Sequence, residues 1–395
     1  MISMKDQLAI VGMGCAKFGE RWNCGVGDLA IEAAQEAYQD AGLGPEDIQA
    51  CFVGQMYAPV GGLGASQVID ALKFHNIPVI RNENFCCSGH VALISAIMAV
   101  ASGAYDVVMA LGVEKLKDTG YPGLGSGRGM NPVMEARRTA PGSFGMIATR
   151  YFAENGISYE EGRRLLAKIA VKNHANGMLT PKAHFHKLIT EEDVLKAPII
   201  ADPLGLYDCC GNSDGAACAI ITRADIARGM RADPIYIKGF GMAMDPVLPQ
   251  TRPGFSWTSF SALRNASGKA YEMAGIKSPR EEIDLAEVHD CFTCTEMLIY
   301  EDFGFSKYGH ARDDIESGFF TRDGGLPVNV DGGLKCFGHP VGASGVRMTY
   351  EVYKQLQYRV DNPARQLKDV HIGLSHTFGG PPQLSCVLIL GNEKG

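Results

Sequence analysis

An α/β fold of stacked sheet and helix layers, built from two similar halves, is what this chain of 395 residues predicts. Three observations carry the prediction. Short apolar strands alternate with helical stretches along most of the chain. The stretch 88–102 reads as a helix that is apolar nearly all round, which suits a helix enclosed between layers and not one lying on a surface. After residue 230 the order of elements repeats in outline, and two helix starts, near Ser88 and near Ser344, take matching places in the two halves. That layout puts an active site between the halves.

Each element has a local reason. Residues 8–13 form an apolar strand running into Gly12 and Gly14, and 28–41 an amphipathic helix closed by Gly42. A strand over 48–57, a helix over 65–73 and a strand over 78–81 lead to the apolar helix at 88–102. Continuous apolar runs at 106–114 and 214–222 read as buried strands. The second half gives a strand over 235–241, a helix over 262–274, a strand over 284–289, a helix over 293–303, a long helix after His339, and closing strands over 371–376 and 384–390. Residues 115–205 break this order, with turn residues around Gly120 to Gly123 and basic side chains at Arg137, Arg138, Lys182, His184, His186 and Lys187. So long a stretch without sheet periodicity reads as a functional insertion, whose basic residues either face an anionic ligand or sit in a solvated cap. The expected division is therefore 1–114 with 206–230, the insertion 115–205, and 231–395.

Bulk properties exclude several functions. A net charge of −7 and a pI near 5.8 leave no basic field for a nucleic-acid backbone. Twelve cysteines, without a leader that looks secretory at the N-terminus, point to free thiols in a reducing, cytoplasmic setting. Cys291 and Cys294 make one isolated C-x-x-C, so structural zinc is not expected. No apolar run reaches the ~20 residues that span a bilayer.

Four short segments carry chemistry. Residues 329–345 read N-V-D-G-G-L-K-C-F-G-H-P-V-G-A-S-G, which places His339 on a tight turn at a helix start. The stretch matches neither phosphate-loop order, so nucleotide binding fits poorly. Asn84-Phe-Cys-Cys-Ser-Gly89 sets Cys86 one turn before the apolar helix, where free N–H groups and the helix dipole favour a thiolate by about 0.3–1 kcal/mol. Cys87 is expected to point into the core. Glu287-Val-His-Asp-Cys-Phe292 brings His289, Asp290 and Cys291 to the C-terminal end of a strand, where open α/β sheets collect polar groups. Asp290 reads as a cap for the next helix. Ser375 to Gly380 is a third glycine-ended strand with a histidine, His376.

Together these motifs resemble those of the thiolase superfamily, and most closely its sterol-carrier-protein-type branch, along essentially the whole chain. Cys86 in C-C-S-G matches the family nucleophile, His339 the G-H-P histidine, and His289 to Phe292 the H-D-C-F motif of this branch. The cysteine of the general C-x-G motif is absent, since His376-Thr-Phe-Gly-Gly380 stands in its place. The resemblance implies the duplicated α-β-α-β-α thiolase fold with a loop-domain insertion.

It further implies Claisen chemistry on coenzyme A thioesters: thiolytic cleavage of a 3-ketoacyl-CoA, branched or aryl-substituted substrates included, or the reverse condensation. Cys86 would carry the acyl group, His339 would activate it, and Cys291 would move the α-proton. His289 and His339 would form one oxyanion site, and the backbone N–H groups of Cys86 and Gly380 the other. No metal or redox cofactor is implied, and coenzyme A enters as a substrate. A homodimer or homotetramer is expected, and bacterial and archaeal relatives often work with a small zinc-ribbon and OB-fold protein. Gly61 to Gly64, Gly123 to Gly129, Met130, Met134 and Met146 are candidates for a roomy acyl pocket. Two rivals stay open: a decarboxylating condensing enzyme of the ketoacyl-synthase kind, and a non-catalytic acyl-CoA-binding protein.

Overall fold

A computed structural model describes residues 4–57, 64–117, 139–246, 254–380 and 383–395. Eleven strands occur among them: β1 (Leu8–Cys15), β2 (Ala50–Gly54), β3 (Val79–Asn82), β4 (Val107–Glu114), β5 (Ile199–Ala201), β6 (Leu204–Gly205), β7 (Gly215–Arg223), β8 (Ile235–Met244), β9 (Leu285–Glu287), β10 (Ile372–Gly379) and β11 (Leu384–Gly391). Nine of them join one sheet in the order β3-β2-β4-β7-β1-β8-β11-β10-β9, while β5 and β6 pair apart.

The sheet is a repeat turned about its middle. In the first half β2 and β4 run parallel, while β4 with β7 and β7 with β1 are antiparallel. The second half has the same relations in β9 with β10, β10 with β11, and β11 with β8. The seam is a short antiparallel match of Ala9 to Tyr236 and Ile10 to Ile235. Even the edge strand β3 has a counterpart, reduced to a single parallel bridge between Ala286 and Val328.

Two helices, Ser88–Ala101 and Val341–Leu356, pack against each other and against strands of both halves. Leu93, Ala96 and Ile97 join the core that contains Ile10, Ala110 and Ala219, whereas Val91 and Ile94 meet Leu384 and Cys386. Helix Val26–Ala41 covers β1 and β7 from outside, ending at Gly42 with φ +68°, and helix Ser261–Ala274 covers β8 and β11. The expected five layers are thus present. Helix Ser88–Ala101 does reach the surface in its last turn, where Met98 is 56% exposed and Ala101 is exposed too.

Two expected strands are shorter for a visible reason. Past Gly54, the N–H groups of Met56 and Tyr57 turn to the Glu114 carboxylate at 2.9 and 3.0 Å. Past Glu287, the Val288 N–H goes to Asn329 Oδ1 at 2.9 Å, which releases His289 from the ladder. Within 139–205 the chain is helical rather than loop-like, with helices Ala140–Glu154, Tyr159–Gly177 and Glu191–Lys196 before the β5–β6 hairpin.

Candidate active site

Cys86 stands on a strained turn between β3 and helix Ser88–Ala101. Cys87 N–H donates to Asn84 O at 3.0 Å, Ser88 N–H donates to Phe85 O at 3.1 Å, and the Ser88 hydroxyl accepts from Asn84 N–H at 2.9 Å. Phe85 is held at φ +51°, a left-handed conformation that costs a bulky residue about 1–3 kcal/mol. Cys87 is buried and its thiol donates to Thr377 O at 3.2 Å, as expected for a side chain turned inward.

His339 reaches the same place from the other half. Its helix and that of Cys86 touch backbone to backbone, since a Cβ on Gly89 would lie 2.6 Å from Gly342 O, and a Cβ on Gly342 would lie 2.5 Å from Gly54 O at the end of β2. Each of these glycines follows its site residue by three positions, so the absence of a side chain there lets the two helix starts converge. His339 N–H donates to Gly211 O at 3.2 Å. The Ser344 hydroxyl donates to Pro340 O at 2.9 Å and therefore accepts from His339 Nδ1 at 2.7 Å. That fixes the proton on Nδ1 and leaves Nε2 as the lone-pair nitrogen, buried and without a partner.

The His289 ring centroid lies 5.3 Å from that of His339 at 82°, and His289 Nδ1 is likewise buried without a partner. One donor atom each from Cys86, His289 and His339 lie within 4.8 Å of one another. Cys291 is also at the site: Cys210 and Cys86 lie near enough to add to the rise of its thiol, which sits 3.9 Å from Thr295 Oγ1. Cys210 escaped the sequence reading. Its N–H donates to Cys291 O at 2.9 Å, and its thiol senses Cys86. The signal available was the position of Cys209-Cys210 just before Gly211 and strand β7.

Electrostatics reverses one expectation. Burial pushes the Cys86 thiol well up, Cys87 and Glu114 add to this, and the N–H groups of Cys86 itself and of Gly380 offset only part. The local preference for a thiolate is overridden because removing charge from water outweighs a helix-terminus effect of about 1 kcal/mol. Burial, with Arg347 nearby, lowers His339 to about 3. Burial, then His339, His376 and His90, hold His289 well below its usual range. Burial raises Cys291 well above the ordinary thiol. Each of these shifts favours the neutral thiol and the neutral imidazole.

Asp290 is a cap, but for a different helix from the one expected. Its carboxylate accepts the N–H groups of Leu334 at 2.6 Å and Lys335 at 3.2 Å, in the first turn of helix Gly333–Phe337, and the Asn173 amide at 2.8 Å. It thereby ties the H-D-C-F loop to the G-H-P turn. Arg347 strengthens the tie through Glu287 at 3.1 Å and a close pair with Asp331, all three buried. His90 joins β10 through Thr377 Oγ1 at 2.8 Å and Ser375 Oγ at 3.0 Å, and His376 accepts from His289 N–H at 3.5 Å.

Basic residues of the insertion have internal partners. Lys182 donates to Cys15 O at 2.7 Å and pairs with Glu36, His184 Nδ1 meets Ser213 Oγ at 2.7 Å, His186 Nε2 meets Thr180 O at 2.9 Å, and Lys187 donates to the Tyr207 hydroxyl at 2.6 Å. Met146 is 49% exposed. Arg137, Arg138, Gly61, Gly123 to Gly129, Met130 and Met134 lie outside the described residues.

Comparison with known proteins bears on this arrangement. Residues 8–225 match the family model for the thiolase N-terminal domain, and residues 252–392 the thiolase C-terminal domain-like model. The chain belongs to the thiolase family. An acetyl-CoA acetyltransferase of Methanothermobacter thermautotrophicus is 38% identical over 385 residues, covering 95% of this chain and 97% of the relative. Sterol carrier protein 2 of Gallus gallus is 30% identical over 389 residues, 95% of this chain and 70% of that one. The thiolase fold is shared with the solved Ltp2-ChsH2(DUF35) aldolase, at TM-score 0.84 and 23% identity over the full length of both chains. This thiolase is thus an enzyme of acyltransferase type. Among its described residues no helix is long and apolar enough to cross a membrane.

Proposed function

We propose that this thiolase cleaves a 3-ketoacyl-CoA, or forms one in reverse, through an acyl group carried on Cys86. The Cys86 proton passes to His339 Nε2, and the sulfur attacks the 3-keto carbon. The C2–C3 bond then breaks and Cys291 gives its proton to the departing acetyl-CoA carbanion; the coenzyme A thiol passes its own proton to Cys291 and takes the acyl group, while Cys86 leaves and regains its proton from His339. The oxygen on the attacked carbon is held by the N–H groups of Cys86 and Gly380, and the enolate oxygen by His289 and His339.

One observation supports this above the rest. Cys86 and His339, from opposite halves, bring a thiol and an imidazole nitrogen within 4.8 Å, His339 Nε2 is buried without a partner, and the Cys86 and Gly380 N–H groups are directed at the same sulfur. The acetyltransferase relative supports acetyl-CoA as one product. The aldolase of similar fold, whose double name Ltp2-ChsH2(DUF35) joins two components, supports a small partner protein for this chain too. A homo-oligomer remains part of the proposal.

Intact-mass spectrometry after incubation with acetyl-CoA is the test. The wild type should gain one acyl group, Cys86→Ser none, and Cys291→Ala should still gain it while failing to cleave acetoacetyl-CoA. An adduct that persists in Cys86→Ser overturns the assignment, and CO2 release from malonyl-CoA would favour the decarboxylating rival.

A further inference from the structure

The same three side chains have a second use that catalysis does not require. We propose that Cys86, His289 and His339 form a binding site for a soft divalent cation, Zn2+ above all, which acts there as an inhibitor competing with the acyl substrate and not as a resident cofactor. Cation binding stands on geometry alone, whereas the inhibition rests on the acyl-transfer reading.

Three features make this a built site. First, one sulfur and two nitrogens lie within 4.8 Å of one another, among described residues that hold no other such group of histidine, cysteine and carboxylate donors. A tetrahedral zinc with Zn–S of about 2.3 Å and Zn–N of about 2.0–2.1 Å holds its donors about 3.3–3.6 Å apart, so side-chain rotations that close roughly 1 Å suffice. Second, His289 Nδ1 and His339 Nε2 are buried nitrogens with no hydrogen-bond partner, in residues 1% and 0% exposed. Nitrogens left idle in the core are a cost that ligation of a cation would remove. Third, Ser344 holds the opposite nitrogen of His339, the orientation that a ligating imidazole needs.

The donor set selects the ion. One thiolate and two imidazoles, without a carboxylate, suit Zn2+, Co2+ or Cd2+ and not Mg2+ or Ca2+. On binding, the Cys86 S–H bond breaks and its proton leaves to solvent. A Zn–S bond and two Zn–N bonds form as the ion sheds its aqueous shell, and one water stays in the fourth position. An acylated Cys86 has no free sulfur to offer, so acyl group and cation exclude each other.

Co2+ alone, titrated into the full chain without oxygen or added thiols, reports the outcome through its spectrum. The expected result is one equivalent bound, with the intense visible band of four-coordinate Co2+ and a near-ultraviolet sulfur-to-metal band, bleached by Zn2+ and untouched by Mg2+. Both bands should vanish in Cys86→Ser, in wild type alkylated at Cys86, and in wild type first acylated by acetyl-CoA. The visible band should weaken in His289→Ala and His339→Ala. An unchanged spectrum in Cys86→Ser and in the alkylated wild type overturns the site, and so does a weak six-coordinate spectrum in the wild type. A protein that acylates but gives no four-coordinate band refutes the cation site alone. One that binds Co2+ through Cys86 but never acylates refutes the acyl-transfer reading alone.

Discussion

The two halves share one strand order and deliver one site residue each at a helix start, yet they hold those helices by opposite means. Helix Ser88–Ala101 is fixed by apolar contact, with Val91, Ala92, Leu93, Ile94, Ala96, Ile97 and Val100 in the core. Helix Val341–Leu356 is buried at all sixteen positions but carries Arg347, Thr349, Glu351, Lys354 and Gln355 among them. It is locked by ion pairs, Arg347 to Glu287 and Asp331, and Arg365 to Glu351. Apolar packing sets a position without setting charge, which suits a thiol kept neutral. Paired charges add direction, which suits two imidazoles whose free nitrogens must face one point.

That contrast can be broken in order of effect. His339→Ala should remove acylation of Cys86 by about 10⁴-fold, the upper range for a lost general base. His289→Ala should instead slow chiefly acetyl-CoA α-proton exchange, by about 10²–10³. Quenched-flow acylation and deuterium exchange measure the two steps apart, and equal losses of acylation would mean that the histidines act as one unit. Next, Arg347→Met leaves Glu287 and Asp331 without their cation and should cost about 3–5 kcal/mol in urea unfolding. Leu93→Met in the other helix should cost under about 1.5 kcal/mol. A smaller Arg347 effect would show that the second half, too, is held mainly by apolar contact.

Gly89→Ala forces the two helix starts apart, at about 1–3 kcal/mol of overpacking. Acyl transfer should fall about 10²-fold, because a shift near 1 Å misaligns sulfur and base. Retained turnover would mean that the contact can yield without moving the site. Last, the pH dependence of alkylation separates burial from the helix terminus. Because burial raises the Cys86 thiol, its reaction with iodoacetamide in the free enzyme should climb about tenfold per pH unit up to at least pH 9. A plateau near neutrality, followed by peptide mass at Cys86, would restore the thiolate expected from the turn alone.

Much of this is legible in the sequence. The start of helix Ser88–Ala101, the pairing of two helix starts across the halves and strands such as Val107–Glu114 follow from runs of apolar residues, which are local signals. Helix Tyr159–Gly177 is hard to read, because its short apolar stripe, Leu165, Leu166, Ile169 and Ala170, is flanked on the buried side by Arg163, Asn173, His174 and Asn176. Asn173 is there to reach Asp290 and Glu296 at 2.8 and 2.7 Å, a tertiary demand with no trace in local periodicity. The same holds at the site. Cys86 and His339 are visible as turns before helices, while Cys210 beside Cys291 depends on how the chain closes. The thiolate expectation fails for that reason: a rule about one helix end is overruled by what the other half buries it under.

Cys87, next to the nucleophile, has its thiol on the carbonyl of Thr377, 290 residues further along the chain. At about 5–20 residues per second of synthesis, that partner reaches the growing protein roughly 15–60 s after Cys87 does. Through that interval helix Ser88–Ala101 has no Leu384 or Cys386 to cover Val91 and Ile94, and for most of it Cys86 has no His339 beside it. A ribosome that stalls before residue 339 therefore holds a chain with an uncovered apolar helix and a thiol without its base, so that synthesis past His339 switches the chemistry on.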